Sequence, residues 1–140
     1  MAGRIVNILQ KTAFSQTTDD SKSSVFAAGP RAISSSDWRS GVLSVRIHSV
    51  PTWGSTATLT ISVTNAFISP DDPSILFLDP INKLAQIVID DSTIAAGAVF
   101  SAQLDDPIGP MLAVNASVNA GASGDACTWE MSIDLVGRDT

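Results

Sequence analysis

Tyrosine is absent from this chain of 140 residues, and cysteine, histidine and glutamate occur once each, as Cys127, His48 and Glu130. A single cysteine excludes an intrachain disulfide and any cysteine-built metal cluster, so Cys127 is expected to be a small, partly buried filler. A single histidine leaves little material for acid–base catalysis. With one glutamate and three lysines (Lys11, Lys22, Lys83), the usual helix formers are scarce. No apolar run reaches the roughly eighteen residues of a membrane span, and the opening MAGRIVNILQKT has no leader-like apolar stretch. The expectation is a soluble protein of a reducing compartment, neither secreted nor membrane-bound. The glycines of AAGA and GASGD lack the following Lys-Ser/Thr of a phosphate loop.

Valine, isoleucine, threonine and serine are plentiful, and these residues favour pleated surfaces. In TATLTISVTNAF, Ala57, Leu59, Ile61 and Val63 share one parity, and Thr58, Thr60, Ser62 and Thr64 the other. Such alternation is that of a half-buried strand. VLSVRIHSV sets Leu43, Val45 and Ile47 against Ser44, Arg46 and His48, and PTWGST then predicts a reversal and a hairpin with the preceding stretch. SPDDPS ends that second strand, a brief ILFLD follows, and LAQIVID, VFSAQL and MLAVNASVN read as further strands. After the loop AGASGDA, TWEMSIDLVG puts Trp129, Met131, Ile133 and Leu135 on one face, which predicts a second hairpin with MLAVNASVN. Strands at this spacing indicate an all-β fold, an antiparallel β-sandwich or jelly-roll-like barrel. The hydroxyl parity of residues 58–64 suits side-by-side packing against another chain and plain solvation equally well.

The composition breaks near SSSDWRSG. Residues 39–140 carry the regular strands of a β-sandwich domain, whereas residues 1–38 are Ser/Thr-rich, weakly periodic and expected to form an extended arm or an edge segment. Charge divides similarly, with +3 over residues 1–46 and −9 over residues 47–140, summing to −6. An acidic body disfavours nucleic acid, because phosphate contacts need clustered Lys and Arg. A cationic head on an anionic body suits docking on an acidic neighbouring subunit. The candidate partner-contact residues are therefore the cations Arg4, Lys11, Lys22, Arg31 and Arg39, with Phe14, Phe26 and Trp38 as apolar anchors. The alternative is that these three aromatics close the edge of their own core.

Little else points to chemistry. His48 alternates with Arg46 on a polar parity and has no nucleophile elbow nearby, so a surface or interface role is expected in place of a triad. Four Asp-Asp pairs (19–20, 71–72, 90–91, 105–106) fall at turns. Aspartate opens turns through its own side chain, and the spacing of a calcium loop is missing. Trp38, Trp53 and Trp129 leave a carbohydrate-binding module as an alternative from another functional class. No catalytic residue, metal or cofactor is expected.

SGVLSVRIHSV, ATLTISVTNAF, IGPMLAVNASV and the closing WEMSIDLVGRD resemble a family of small β-sandwich proteins of tailed-bacteriophage virions, over residues 40–139. SPDDPSILFLDPINKL departs from the family's shorter polar connection. The resemblance implies a non-enzymatic capsid decoration or cement protein, bound in many copies to the outside of the major capsid shell. It further implies neighbouring copies of itself as partners, a homo-oligomeric state and a virion location after assembly in the host cytoplasm. A tail or baseplate component is the alternative within this class.

Overall fold

The computed structural model describes residues 3–16, 22–26, 29–119 and 126–139. These form strands β1 (Gly3–Gln16), β2 (Lys22–Ser24), β3 (Arg31–Ser34), β4 (Ser40–Thr52), β5 (Thr58–Ile68), β6 (Leu76–Ile89), β7 (Val99–Gln103), β8 (Met111–Asn119) and β9 (Cys127–Arg138). None of the described residues is helical. One sheet has the order β1-β9-β4-β7; the other has β2-β8-β5-β6, with β3 also on β8.

Every pairing is antiparallel, and the pairings nest. β1 lies on β9, β2 and β3 on β8, β4 on β7, and β5 on β6. A long antiparallel ribbon folded at β5–β6 and rolled up gives this arrangement, and the rolling brings β9 onto β4 and β8 onto β5. The fold is an antiparallel β-sandwich of the jelly-roll kind.

The core forms where the expected parities point. Leu43, Val45, Ile47, Leu59, Ile61, Val63, Met131, Ile133 and Leu135 are all fully buried between the sheets. Cys127, expected to be partly buried, is wholly enclosed and accepts the Gly54 N–H at 3.5 Å.

The two expected hairpins do not form. β4 and β5 lie in opposite sheets, as do β8 and β9, so the chain crosses the core at each of these connections. Strands facing a shared core from opposite sides have the same alternation, so parity does not reveal which sheet a strand joins. The hairpin in this region is β5–β6 instead. ILFLD and LAQIVID, expected as separate strands, are one long β6 whose register against β5 shifts between Val63 and Ala66.

The N-terminal segment lies along the sandwich. β1 is an edge strand, and its register on β9 shifts on both sides of Leu9. Adjacent residues of a regular strand face opposite ways, whereas a bulge allows Ile8 and Leu9 both to enter the core, where each is 4% exposed. This bulge accounts for the weak periodicity of RIVNILQ. The Arg31 guanidinium donates to the Ile8 carbonyl, closing one side of the sandwich. On the other side the Asp105 N–H donates to the Leu84 carbonyl at 2.8 Å.

At the end of β9, Gly137 lies against the Trp38 ring so closely that a Cβ there would overlap it. Gly137→Ala is expected to cost about 1–3 kcal/mol, the usual range for overpacking, and the cost should vanish in a Trp38→Ala background. Denaturant titration of the double-mutant cycle measures this. The register makes a second prediction. Ile61→Asp and Ile133→Asp bury a carboxylate at several kcal/mol, a large part of a typical margin of about 5–15 kcal/mol, and should abolish folding. Thr60→Asp, on the outer parity, should fold, and circular dichroism melts compare the three.

Candidate interaction surface

The outer faces of the two sheets differ in charge. On the β1-β9-β4-β7 sheet, Lys11 pairs with Glu130 at 3.5 Å, and Asn7 donates to Asp134 at 2.8 Å. The exposed Arg46 lies on the same sheet, on β4. On the other sheet the outer rows of β5 and β8 carry no charge. Thr60 sits between Ser117 and Val88, Ser62 between Asn115 and Gln86, and Thr58 beside Asn119. Thr58, Thr60, Ser62 and Thr64 are half-buried, Ser117 is covered and Val88 is exposed.

The strand ends bring two further features to one end of the sandwich. Beyond Thr64 the β5–β6 hairpin loses its alternation, and Phe67 pairs directly with Phe77. Phe67, Phe77, Ile68 and Ile75 are 55%, 53%, 47% and 44% exposed. A cavity of about 250 Å³ lies beside them, lined by Ala66, Phe67, Ile68, Pro110 and Met111. At the diagonally opposite corner of the same end, the start of β1, the residue before β4 and the end of β9 supply Arg4, Arg39 and Arg138, all exposed. A hollow of about 170 Å³ there is lined by Arg4, Asp37, Trp38, Gly137, Arg138 and Asp139.

The contact residues expected from sequence are dispersed over this framework. Phe26 and Trp38 are 5% and 7% exposed, and Phe14 stacks on Trp129 with ring centroids 5.4 Å apart. Phe26 and Trp38 pack into the chain's own core, with one edge of Trp38 lining the 170 Å³ hollow, and Phe14 is half-buried against it. Arg31 lies over the Phe26 ring, 5.0 Å from its centroid, and Lys11 is taken up by Glu130. Lys22 is on β2. Arg4 and Arg39 remain at the surface, joined by Arg138. The exposed hairpin was missed, although its signal is legible: adjacent Phe67-Ile68 and the unalternating Ile75 to Leu78 flank a polar turn.

Two turn aspartates are held by the hydroxyls and amides of their own turns. The Ser74 hydroxyl and amide both donate to Asp72, at 2.7 and 3.0 Å, and hold its carboxyl below the ordinary value of 3.8. The Ser92 and Thr93 hydroxyls, at 2.7 and 3.1 Å, lower Asp90 in the same way. The pair Asp19-Asp20 lies outside the described residues. Among the described residues, no three His, Cys, Asp or Glu side chains converge as metal ligands. His48 Nε2 is 2.9 Å from the Ser132 hydroxyl on the flat outer face of its sheet. No described carboxylate orients the other ring nitrogen, as a triad requires. The tryptophans are turned inward. Trp129 is buried edge-on to Trp53, and the half-buried Trp53 donates Nε1–H to the Ala57 carbonyl at 3.2 Å.

No protein-family model and no curated protein sequence matches the chain. Among solved structures, VP2 of the infectious bursal disease virus subviral particle matches with a TM-score of 0.51 and 13% identity, over 96% of this chain. A mutant VP2 protein of the same virus, in derived T=1 particles, matches with a TM-score of 0.47, 11% identity and the same coverage. The chain spans 31% of the length of either VP2 chain. The first likeness is one of fold: both chains are β-sandwiches.

Asp90 has a lowered folded-state pKa, so its contribution to stability is full above the unfolded value of 3.8 and is lost as pH falls through the lower folded value. Asp90→Ala should therefore melt below wild type at neutral pH, and the two melting temperatures should converge by about pH 2. A gap that persists in acid would mean that Asp90 acts through something other than its charge.

Proposed function

We propose that this chain is a non-enzymatic structural protein of a virus particle, a decoration or cement protein seated on the outside of the shell of major capsid protein in many copies. The observation that carries this reading is the nested jelly-roll wrap, a β-sandwich fold shared with a protein that forms a subviral particle. The uncharged hydroxyl row of β5 suits the contact with the shell. It has no charge to desolvate, and Ser and Thr side chains lose little entropy when immobilised. Weak contacts of this kind become firm attachment when repeated over many linked copies.

Purified protein should co-sediment with particles that lack it and restore many copies per particle. Thr60→Asp places an unpaired charge at the centre of that face, and this folded variant should lose most of its binding. Absence of the chain from purified particles would overturn the reading. Wild-type binding by Thr60→Asp would move the contact to another surface.

A further inference from the structure

The end of the sandwich carries two surfaces with complementary properties. The first is the β5–β6 hairpin, where Phe67 and its partner Phe77 are exposed on one face, Ile68 on the other and Ile75 beside the turn, leaving around the hairpin tip apolar surface on the order of 400 Å², a size that on soluble proteins is often functional. Its surroundings are acidic: Asp71 and Asp72 occupy the hairpin turn, and Asp79, Asp105 and Asp106 line the adjoining hollow with Lys83. Asp72 is held ionised by Ser74. The second surface is the corner with Arg4, Arg39 and Arg138, where the cations outnumber Asp37 and Asp139. Ile5, 73% exposed, lies next to Arg4 on β1, and no ion pair engages these three arginines among the described residues. The 170 Å³ hollow at this corner, walled by Trp38 and the bare backbone of Gly137, is comparable to cavities of about 150 Å³ that take up a benzene ring.

We propose that copies of this chain join head to tail, the β5–β6 hairpin of one seated on the Arg4–Arg39–Arg138 corner of the next. A phenyl ring of the hairpin enters the hollow beside Trp38, and the arginine stems cover the rest of the apolar patch while their guanidinium groups face the turn aspartates. The symmetric alternative, hairpin against hairpin, brings two acidic rims together and is disfavoured by like charge. The apolar patch is smaller than the roughly 800 Å² per partner of a stable interface, so a single contact is weak and salt-sensitive. Because the two surfaces are different, the contact does not close on itself as a two-fold dimer and leads to rings or chains. The inference concerns copies of this chain alone and does not rest on attachment to a particle.

Sedimentation velocity of the full chain tests it, with circular dichroism confirming the fold of each variant. Wild type should assemble as concentration rises from micromolar to sub-millimolar, and added salt should reverse this. A hairpin variant (Phe67→Ser with Phe77→Ser) and a corner variant (Arg4→Glu with Arg39→Glu) should each stay monomeric. An equimolar mixture of the two should give dimers, because one intact hairpin and one intact corner remain between them. A monomeric wild type, assembly by either variant alone, or a mixture that stays monomeric would each overturn the proposal. Assembly by the corner variant alone would point to the hairpin-to-hairpin contact in its place.

Discussion

Everything in this molecule depends on two central strand pairs, β4 with β9 and β5 with β8, packing their apolar parities against each other. Leu43, Val45 and Ile47 with Met131, Ile133 and Leu135 form one wall; Leu59, Ile61 and Val63 with Val114, Ala116 and Val118 form the other. All twelve are fully buried. Burying each of the larger side chains, all but Ala116, contributes about 1.5–3 kcal/mol, and neither sheet achieves that burial without its partner. The outer strands are held by this slab: β1 through the β9 ladder, β6 through β5, and β7 through β4.

With the inner faces committed to the core, the surfaces left for function are the two outer faces and the loop ends. The chain treats them differently. One outer face is charged and carries the Lys11–Glu130 pair, whereas on the other the β5 and β8 rows are hydroxyl and amide, with Lys83 of β6 opposite Thr64. At the loop ends, Asp72 and Asp90 accept from hydroxyl and amide groups of their own turns.

The candidate interaction surface was legible only in part. The N-terminal aromatics have the appearance of anchors because their sequence neighbours are polar, yet Phe26, Trp38 and Phe14 are covered by strands distant in sequence. Arg4 and Arg39 stood out as cations, but their juxtaposition with Arg138 requires β1, β4 and β9 to lie side by side. The apolar hairpin left a mark in the sequence as lost alternation. Whether such a run is buried or exposed depends on how far the opposing sheet extends, and local pattern carries no information about that.

Parity, and with it the all-β class, the core residues and the hydroxyl face, was determined by the sequence alone, because successive strand residues point to opposite sides whatever the partner. Turn chemistry at Asp72 and Asp90 was determined in the same local way. Only the tertiary structure decided which sheet each strand joined, why Gly137 must lack a side chain, and which aromatics reached solvent. Those outcomes depend on contacts between residues far apart in the chain, such as Trp38 against Gly137 and Phe14 against Trp129. Strands from opposite sheets bury the same alternating pattern, so their assignment is settled only by the best simultaneous packing of the whole roll.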